Sequence, residues 1–258
     1  MTVLYELKGH VARVTIDRPE VMNAVDAETQ AALSHIWSRI EADPDVRCVV
    51  LTGSGERAFS AGADMKSGSE KRGLDYWASM LGGGFGGIST RTTLNVPVIA
   101  RVSGLALGGG FEMVLGCDIV IASNTASFGL PEPRFGRLAL AGGITQLSQR
   151  IPRAIAMGML LTGARIDAAE AHRVGLVNEI VEPAQLDAAV DRWVSGILAC
   201  APLSLKAVKE MVRAVEQYGA YDASGMRLPA LMTALGSSDQ HEGVTAFREK
   251  RAPVWQGR

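Results

Sequence analysis

The stretch from Val96 to Ala122 limits the possible folds more than any other part of the chain. It is almost continuously apolar, yet it is broken by Arg101, Glu112 and Asp118 and by three consecutive glycines, Gly108-Gly109-Gly110. A bilayer span needs about 20 mostly apolar residues in a row, so this segment is too interrupted to cross a membrane. Buried strands and a buried helix satisfy the same pattern, because strands covered on both faces read as unbroken Val/Ile/Leu runs. Val96-Pro97-Val98-Ile99-Ala100 predicts one strand, Gly109 to Leu115 a helix, and Cys117 to Ala122 a second strand.

The rest of the chain extends that α/β reading. Residues 3–8 and 11–17 alternate apolar and polar around Gly9, which predicts a hairpin. Asn23 or Asp26 can cap a helix running to about Ala42. Val46 to Leu51 predicts another short buried strand, closed by Thr52-Gly53-Ser54-Gly55, and Ala58 to Lys66 is rich in small residues and favours neither state. Strand, turn and helix thus recur at 46–66 and 97–115. From about Ala141 the pattern is mostly helical, broken at Pro152, Asp167 and Pro183, and after residue 198 only helices are expected. The predicted organisation is a core over 1–197 and a helical C-terminal portion over 198–258, within the size of one large domain or a domain with an appendix.

Charge and cysteines exclude several classes. With 26 basic and 27 acidic side chains the net charge is -1, which provides no overall field for nucleic acid or an anionic membrane. Local basic patches are compatible with this balance, Arg248-Glu249-Lys250-Arg251 being one candidate. Cys48, Cys117 and Cys200 have no metal-ligand or disulfide spacing, so neither a zinc site nor a disulfide framework is expected, and buried thiols in a reducing cytoplasm are. No basic region followed by an apolar core marks a signal peptide at the N-terminus. Gly82-x-Gly84-x-x-Gly87 matches a dinucleotide fingerprint only formally. It follows no strand and opens no clear helix, so residues 67–90 read as a mobile glycine-rich loop. Neither a phosphate-loop GxxxxGK[ST] nor a GxSxG nucleophile elbow is present, and the four histidines stand in unrelated contexts.

Two glutamates carry the chemistry. Glu112 ends Gly104-Leu105-Ala106-Leu107-Gly108-Gly109-Gly110-Phe111-Glu112, and Glu132 stands between Pro131 and Pro133. A carboxylate in apolar surroundings is costly unless it is paired or used. Singly, each has an ordinary explanation: Glu112 as a helix N-terminal acid, Glu132 as a loop acid in a stiff turn. Together, converging on one cavity, they would suit moving a proton and activating water. The triple glycine lets backbone approach a ligand closely, and the first N–H groups of the following helix lack internal partners. Ala61-Gly62-Ala63-Asp64 offers similar small residues and an exposed amide. Two such amides meeting would form an oxyanion hole.

At these residues the chain resembles the enoyl-CoA hydratase/isomerase (crotonase) superfamily. The likeness runs through Arg18-Pro19-Glu20-Val21-Met22-Asn23-Ala24, Phe59-Ser60-Ala61-Gly62-Ala63-Asp64-Met65-Lys66, Pro97-Val98-Ile99-Ala100, Gly104 to Glu112, Cys117-Asp118 and Phe128-Gly129-Leu130-Pro131-Glu132. Leu161-Thr162-Gly163, Gly175-Leu176-Val177 and the ending Glu242 to Arg251 also match. The resemblance implies an α/β spiral of β-β-α units with a helical C-terminal region that forms a trimer or a dimer of trimers. It implies an acyl-CoA thioester substrate, with coenzyme A part of the substrate rather than a cofactor, and no nucleic-acid or membrane partner. The amides of Ala63 and Gly109 would form the oxyanion hole, worth roughly 3–4 kcal/mol per donor by analogy with other such sites. Glu112 would activate water for addition at C3 and Glu132 would move the proton at C2, giving syn hydration of a 2-trans-enoyl-CoA. Met22, Ala24, Ala61, Asp64, Met65, Lys66, Leu105 and Pro131 would line the CoA and acyl path, with Phe247 and Lys250 reaching CoA, often from a neighbouring subunit.

Three alternatives stand beside that reading. Ala126-Ser127-Phe128 and the ending Pro253-Val254-Trp255-Gln256-Gly257-Arg258 are similar to carnitinyl-CoA dehydratases, which would make crotonobetainyl-CoA the substrate. A Δ3-Δ2 isomerase would need only one of the two glutamates. An RNA-binding or scaffold protein on the same fold would leave the pair without use. Phe135 to Leu140 departs from the Pro-containing turn common in hydratases before Ala141-Gly142-Gly143, so the acyl-pocket shape is this chain's own.

Overall fold

The computed structural model describes residues 2–66, 73–78 and 82–258. Strands β1 (Val3–Lys8) and β2 (Val11–Ile16) form the expected hairpin, paired antiparallel from Val3 with Ile16 to Lys8 with Val11. That register turns Ala12, Val14 and Ile16 inward, each with no exposed surface. Of the two candidate caps, Asp26 starts helix α1 (Ala27–Ala42), its carboxylate accepting the Thr29 N–H at 2.8 Å. Leu33, Trp37 and Ile40 on α1 are fully buried, near helical spacing.

Beyond α1 the chain alternates between two sheets. Strand β3 (Cys48–Gly53) is followed by β4 (Ala58–Ser60) and helix α2 (Gly73–Ala78). Then come β5 (Val98–Val102), β6 (Leu105–Leu107), α3 (Gly109–Leu115), β7 (Ile119–Ser123) and β8 (Ser127–Gly129). Helices α4 (Gly143–Arg150) and α5 (Arg153–Thr162) lead to β9 (Arg165–Asp167), α6 (Ala168–Arg173) and β10 (Glu179–Val181). The larger sheet has the order β1-β2-β3-β5-β7-β10 and the smaller one β4-β6-β8-β9. Each turn of the chain therefore gives one strand to each sheet: β3 then β4, β5 then β6, β7 then β8. Within each sheet these strands run parallel, β3 with β5 and β7, β4 with β6 and β8, as they must when each connection crosses to the other sheet and returns; β9 closes the smaller sheet antiparallel to β8.

The larger sheet is covered on both faces, which explains the continuous apolar runs of β3 and β5. One face packs into the main core with Trp37, Phe59, Phe111 and Phe128. The other receives helix α7 (Leu186–Leu198), whose Leu186, Ala189, Val190 and Val194 pack against Cys48, Val50, Ile99 and Ile121. After α7 come only helices: α8 (Pro202–Tyr218), α9 (Ala220–Ser224), α10 (Pro229–Leu235) and α11 (Asp239–Glu249). Helix α8 is tied to the core by Lys209, whose Nζ donates to the Val96 carbonyl (2.8 Å) and to Asp118 Oδ2 (2.7 Å). The same Asp118 oxygen accepts the Val98 N–H (2.7 Å).

Four expectations need correction. Strands β9 and β10 interrupt the region read as helical, because three-residue edge strands are held by pairing with β8 and β7 and carry little pattern of their own. Residues 85–89 are a buried, bonded turn rather than a mobile loop. The Trp37 Nε1–H donates to the Gly86 carbonyl (2.7 Å), Gly86 N–H to Gln30 Oε1 (2.7 Å), and Gln30 Nε2 to the Gly84 carbonyl (3.1 Å). The glycines there have positive φ and permit close packing on α1 and Met113; residues 67–72 and 79–81 of the same expectation lie outside the described residues. Cys48 and Cys117 are buried, but Cys200 is exposed. The basic run at 248–251 is partly neutralised, since Arg251 pairs with Glu242 and Glu249 at 2.6 Å each.

Candidate active site

Helix α3 is buried along its whole length, from Gly109 to Leu115. This places Glu112, 4% exposed, in the interior. Its Oε1 accepts the Gly143 N–H at 2.9 Å, at the start of α4. Burial raises the Glu112 carboxyl from 4.5 to about 7, with the Gly143 and Ala141 amides opposing the shift and the nearby Glu132 charge adding to it. A carboxyl poised there holds or releases a proton near neutral pH.

Glu132 follows β8 and opens a single tight turn, Glu132–Phe135, closed by Gly136 at φ +64°. The flanking prolines fix φ and remove amide donors, so the backbone leaves the strand sharply here. The turn is held by the Arg137 N–H donating to the Glu132 carbonyl at 3.0 Å. Glu132 Oε1 lies 2.9 Å from where a side chain at Gly108 would begin. Its Oε2 is buried and has no hydrogen-bond partner among the described residues. Burial raises this carboxyl too, opposed by its own backbone N–H. A buried oxygen of this kind calls for a partner that the described residues do not provide.

The two candidate amides meet beside this pair. Gly62, with φ +88°, abuts the triple glycine so closely that a Cβ on it would lie 2.7 Å from the Leu107 carbonyl and 3.0 Å from the Gly109 nitrogen. Residue 62 must therefore be glycine for the Ala63 and Gly109 loops to touch. Gly108, at φ +54° and ψ -128°, turns the chain from β6 into α3. Among the described residues no acceptor takes the N–H of Ala63 or of Gly109. Ala63 is exposed, and its neighbours bind elsewhere: Val25 N–H to the Gly62 carbonyl (2.8 Å) and Asp64 N–H to the Val25 carbonyl (3.0 Å). Two free amides beside two carboxyls raised by burial can polarise a carbonyl while a proton moves next to it.

The remaining predicted residues fall into two groups. Met22, Ala24, Ala61, Asp64, Met65 and Lys66 share the loop pair around Ala63, with the Ala61 N–H donating to the Met22 carbonyl (2.9 Å) and Met65 64% exposed. Asp64 is engaged with Arg18 at 3.1 Å. Leu105 opens β6 and Pro131 precedes Glu132, both half-buried. Phe247 lies on the last helix, α11, 85% exposed, and Lys250 caps its C-terminal end at φ +55°. Four residues hold the site together in ways the sequence did not indicate, Asn23 among them, which was a candidate helix cap. Gly143 anchors Glu112, and Ala141 lies beside it. Asn23, 1% exposed, donates to the Ser54 and Ala58 carbonyls (3.0 and 2.8 Å), and the Ser60 hydroxyl donates to the Asn23 carbonyl (2.8 Å). Their signal was motif membership alone. A cavity of about 460 Å³ opens beside Leu140 and Ala141, lined also by Gly82, Gly84, Thr90, Arg91 and Thr93.

Comparison with known proteins identifies the family and the fold. The family model described as Enoyl-CoA hydratase/isomerase matches residues 6–258. Carnitinyl-CoA dehydratase of Salmonella typhi is 40% identical over 255 residues, covering 97% of this chain and 96% of that protein. Its counterpart from Proteus mirabilis is 38% identical, covering 97% of each. Among solved structures, enoyl-CoA hydratase from Bacillus anthracis superposes with a TM-score of 0.91 at 30% identity over 100% of both chains. Enoyl-CoA hydratase from Mycobacterium tuberculosis gives 0.90 at 33% identity over 100% of this chain and 99% of that one. With the alternating two-sheet spiral and these likenesses, this chain belongs to the enoyl-CoA hydratase/isomerase family and has the crotonase fold.

Proposed function

We propose that the protein is a hydro-lyase that reversibly adds water across the 2-trans double bond of an enoyl-CoA thioester. The observation that carries this reading is the pairing of Glu112, anchored by the Gly143 amide, with Glu132, whose buried Oε2 has no partner among the described residues, beside the Ala63 and Gly109 N–H groups, which none of those residues accepts. The thioester oxygen accepts from those two amides, so electron density drawn from the double bond is stabilised as it accumulates there. Ionised Glu112 takes a proton from water as the oxygen bonds to C3, and protonated Glu132 gives its proton to C2 on the same face. The pair ends with its proton on Glu112 and is reset by exchange with solvent.

The acyl group is a second question. The relatives named carnitinyl-CoA dehydratase favour a 3-hydroxyacyl-CoA carrying a 4-trimethylammonio group, dehydrated to crotonobetainyl-CoA, over a plain alkyl chain. Self-assembly, as a trimer or dimer of trimers, is supported by the exposed Val208, Val212 and Val215 along α8 with Tyr218 and Tyr221 beyond them. Such an assembly would let Phe247 and Lys250 of a neighbouring copy reach CoA. We place the protein in the cytoplasm, where its three thiols stay reduced. Among the described residues no helix is long and apolar enough to cross a membrane.

The test follows the conjugated-thioester absorbance of crotonyl-CoA and crotonobetainyl-CoA with wild type, Glu112→Gln and Glu132→Gln. Loss of absorbance in wild type and its collapse in both folded variants support the two-carboxylate reading, and the ratio of kcat/KM values identifies the acyl group. Conversion of a 3-enoyl-CoA to the 2-enoyl isomer, with no hydrated product, would replace it with the isomerase reading.

A further inference from the structure

Arg18 takes no part in the chemistry above, yet its guanidinium bonds the two segments that flank the Ala63 amide. Its guanidinium side chain is only 16% exposed and holds three groups at once. Nη1 donates to the Ala24 carbonyl at 2.7 Å, and Nη2 lies 3.1 Å from both Asp26 Oδ2 and Asp64 Oδ2. Ala24 and Asp26 flank Val25, and Val25 makes the two-bond bridge to Gly62 and Asp64. Ala63 sits between those two bonds, so its own N–H is turned away from Val25 and toward the site. Arg18 thus fastens both sides of the bridge, residues 24–26 on one strand of it and Asp64 on the other.

Two hydrogen bonds between irregular segments make a soft hinge, whereas an oxyanion donor must stay within a few tenths of an ångström of its place. A planar guanidinium bonded to three fixed acceptors provides that stiffness in a way that a single ammonium point charge does not. Asp26 adds a link to the frame, because its other carboxylate oxygen caps α1 through the Thr29 N–H at 2.8 Å. The hold therefore runs from a 16-residue helix through Arg18 to the amide. It also gives Asp64 work other than lining the CoA path.

We propose that Arg18, with Asp64 as its counter-charge, is a positioning residue that fixes the Ala63 half of the oxyanion hole. This rests on the reading that Ala63 and Gly109 bind the thioester oxygen. The probe is butyryl-CoA labelled with ¹³C at the carbonyl, which is saturated and unreactive, observed bound to the protein by isotope-edited infrared spectroscopy. Its C=O stretch falls as hydrogen-bond donors polarise the carbonyl. Wild type should lower the stretch, and Arg18→Met should lose about half of that downshift, since one of two donors is misplaced. Arg18→Lys and Asp64→Asn, which keep most of the packing, should show smaller losses. In turnover, kcat should fall about 10–100-fold in Arg18→Met, as a misplaced reacting geometry predicts. KM should change less than about threefold, because ground-state binding is largely retained.

The outcomes separate the two levels of the argument. No downshift in wild type would sink the oxyanion-hole reading and the positioning role with it. A wild-type downshift retained in full by Arg18→Met, with kcat intact, would refute the positioning role alone. If Arg18→Met does not fold, Arg18→Lys and Asp64→Asn decide: folded variants with the full downshift and wild-type kcat overturn the proposal, and a shared partial loss upholds it.

Discussion

Replacing Glu112 by Gln should change how stability depends on pH, with a sign and size that follow from burial. The carboxyl titrates near 4.5 in the unfolded chain and at about 7 in the folded one. Between those values the folded state binds more protons than the unfolded state, so stability falls as pH rises through the window. A group with a raised carboxyl pKa contributes its full stability below 4.5 and has lost it above 7. The difference of about 2.5 units corresponds to about 3 kcal/mol at 1.36 kcal/mol per unit. Gln is neutral throughout and cannot follow that slope. It can still accept the Gly143 N–H, but its amide nitrogen cannot replace the second carboxyl oxygen, which costs about 1 kcal/mol at every pH. The variant should therefore be slightly less stable than wild type at pH 4.5 and about 2 kcal/mol more stable at pH 8. Urea unfolding at fixed protein concentration, repeated across that range, measures the difference, and catalysis should be lost throughout. A wild-type-minus-variant difference that does not change with pH, or that changes in wild type's favour as pH rises, would refute the claim that burial governs this carboxyl.

Other perturbations address single contacts. Glu132→Gln should reduce kcat by about 10²–10⁴-fold, the usual contribution of a positioned acid or base, with a thermal midpoint no lower than wild type's; a kcat within tenfold would remove Glu132 from the chemistry. Gly108→Ala combines a positive φ with a Cβ 2.9 Å from Glu132 Oε1. It should cost about 1–3 kcal/mol and displace Glu132, so calorimetry should still detect binding of a CoA ester while turnover falls. Gly86→Ala, at φ +61° with its new methyl driven into Met113, should destabilise by about 2–4 kcal/mol in urea; a near-neutral result would restore the mobile-loop view of this segment. Lys209→Met leaves Asp118 without its ion partner. Because Asp118 is 31% exposed, the loss should be about 1–3 kcal/mol, below that for a fully buried pair, and adding Asp118→Asn should recover most of it.

The sequence made some of this legible and hid the rest for definable reasons. The β1–β2 hairpin, α1, β3, β5 and α3 could be read because each is long enough to show a period or a continuous apolar run. Strands β4, β6, β8, β9 and β10 span three residues each, too short for any period. They exist because neighbouring strands offer them hydrogen bonds. The glutamates and the glycine turn stood out because they break local rules inside apolar sequence. Arg18 did not, since a lone arginine before proline is ordinary and its partner Asp64 lies 46 positions away. The anchoring of Glu112 by Gly143, 31 positions away, was hidden for the same reason: backbone amides carry no residue-type signal. The glycines at 84–87 misled because composition cannot separate a glycine that moves from one that lets two surfaces touch.

The site's assembly depends on the register of the smaller sheet. Ser60, Ala106 and Phe128 stand side by side in parallel β4, β6 and β8. Counting on from these three partners, Ala63 and Gly109 each follow by three residues and Glu132 by four. All three functional groups thus emerge together from the carboxyl ends of adjacent parallel strands, where open α/β sheets present their ligands. Glu112 joins them because it lies one turn along the helix that Gly109 begins, so one amide donor and one carboxyl move as a unit. A slip of one residue between β6 and β8 would reverse which side chains face inward and carry Glu132 away from Gly108. Phe111 and Phe128, with ring centroids 5.6 Å apart, pack across that junction from α3 to β8. Their buried area opposes the slip, and so a core contact that touches no substrate sets the spacing between the two carboxyls.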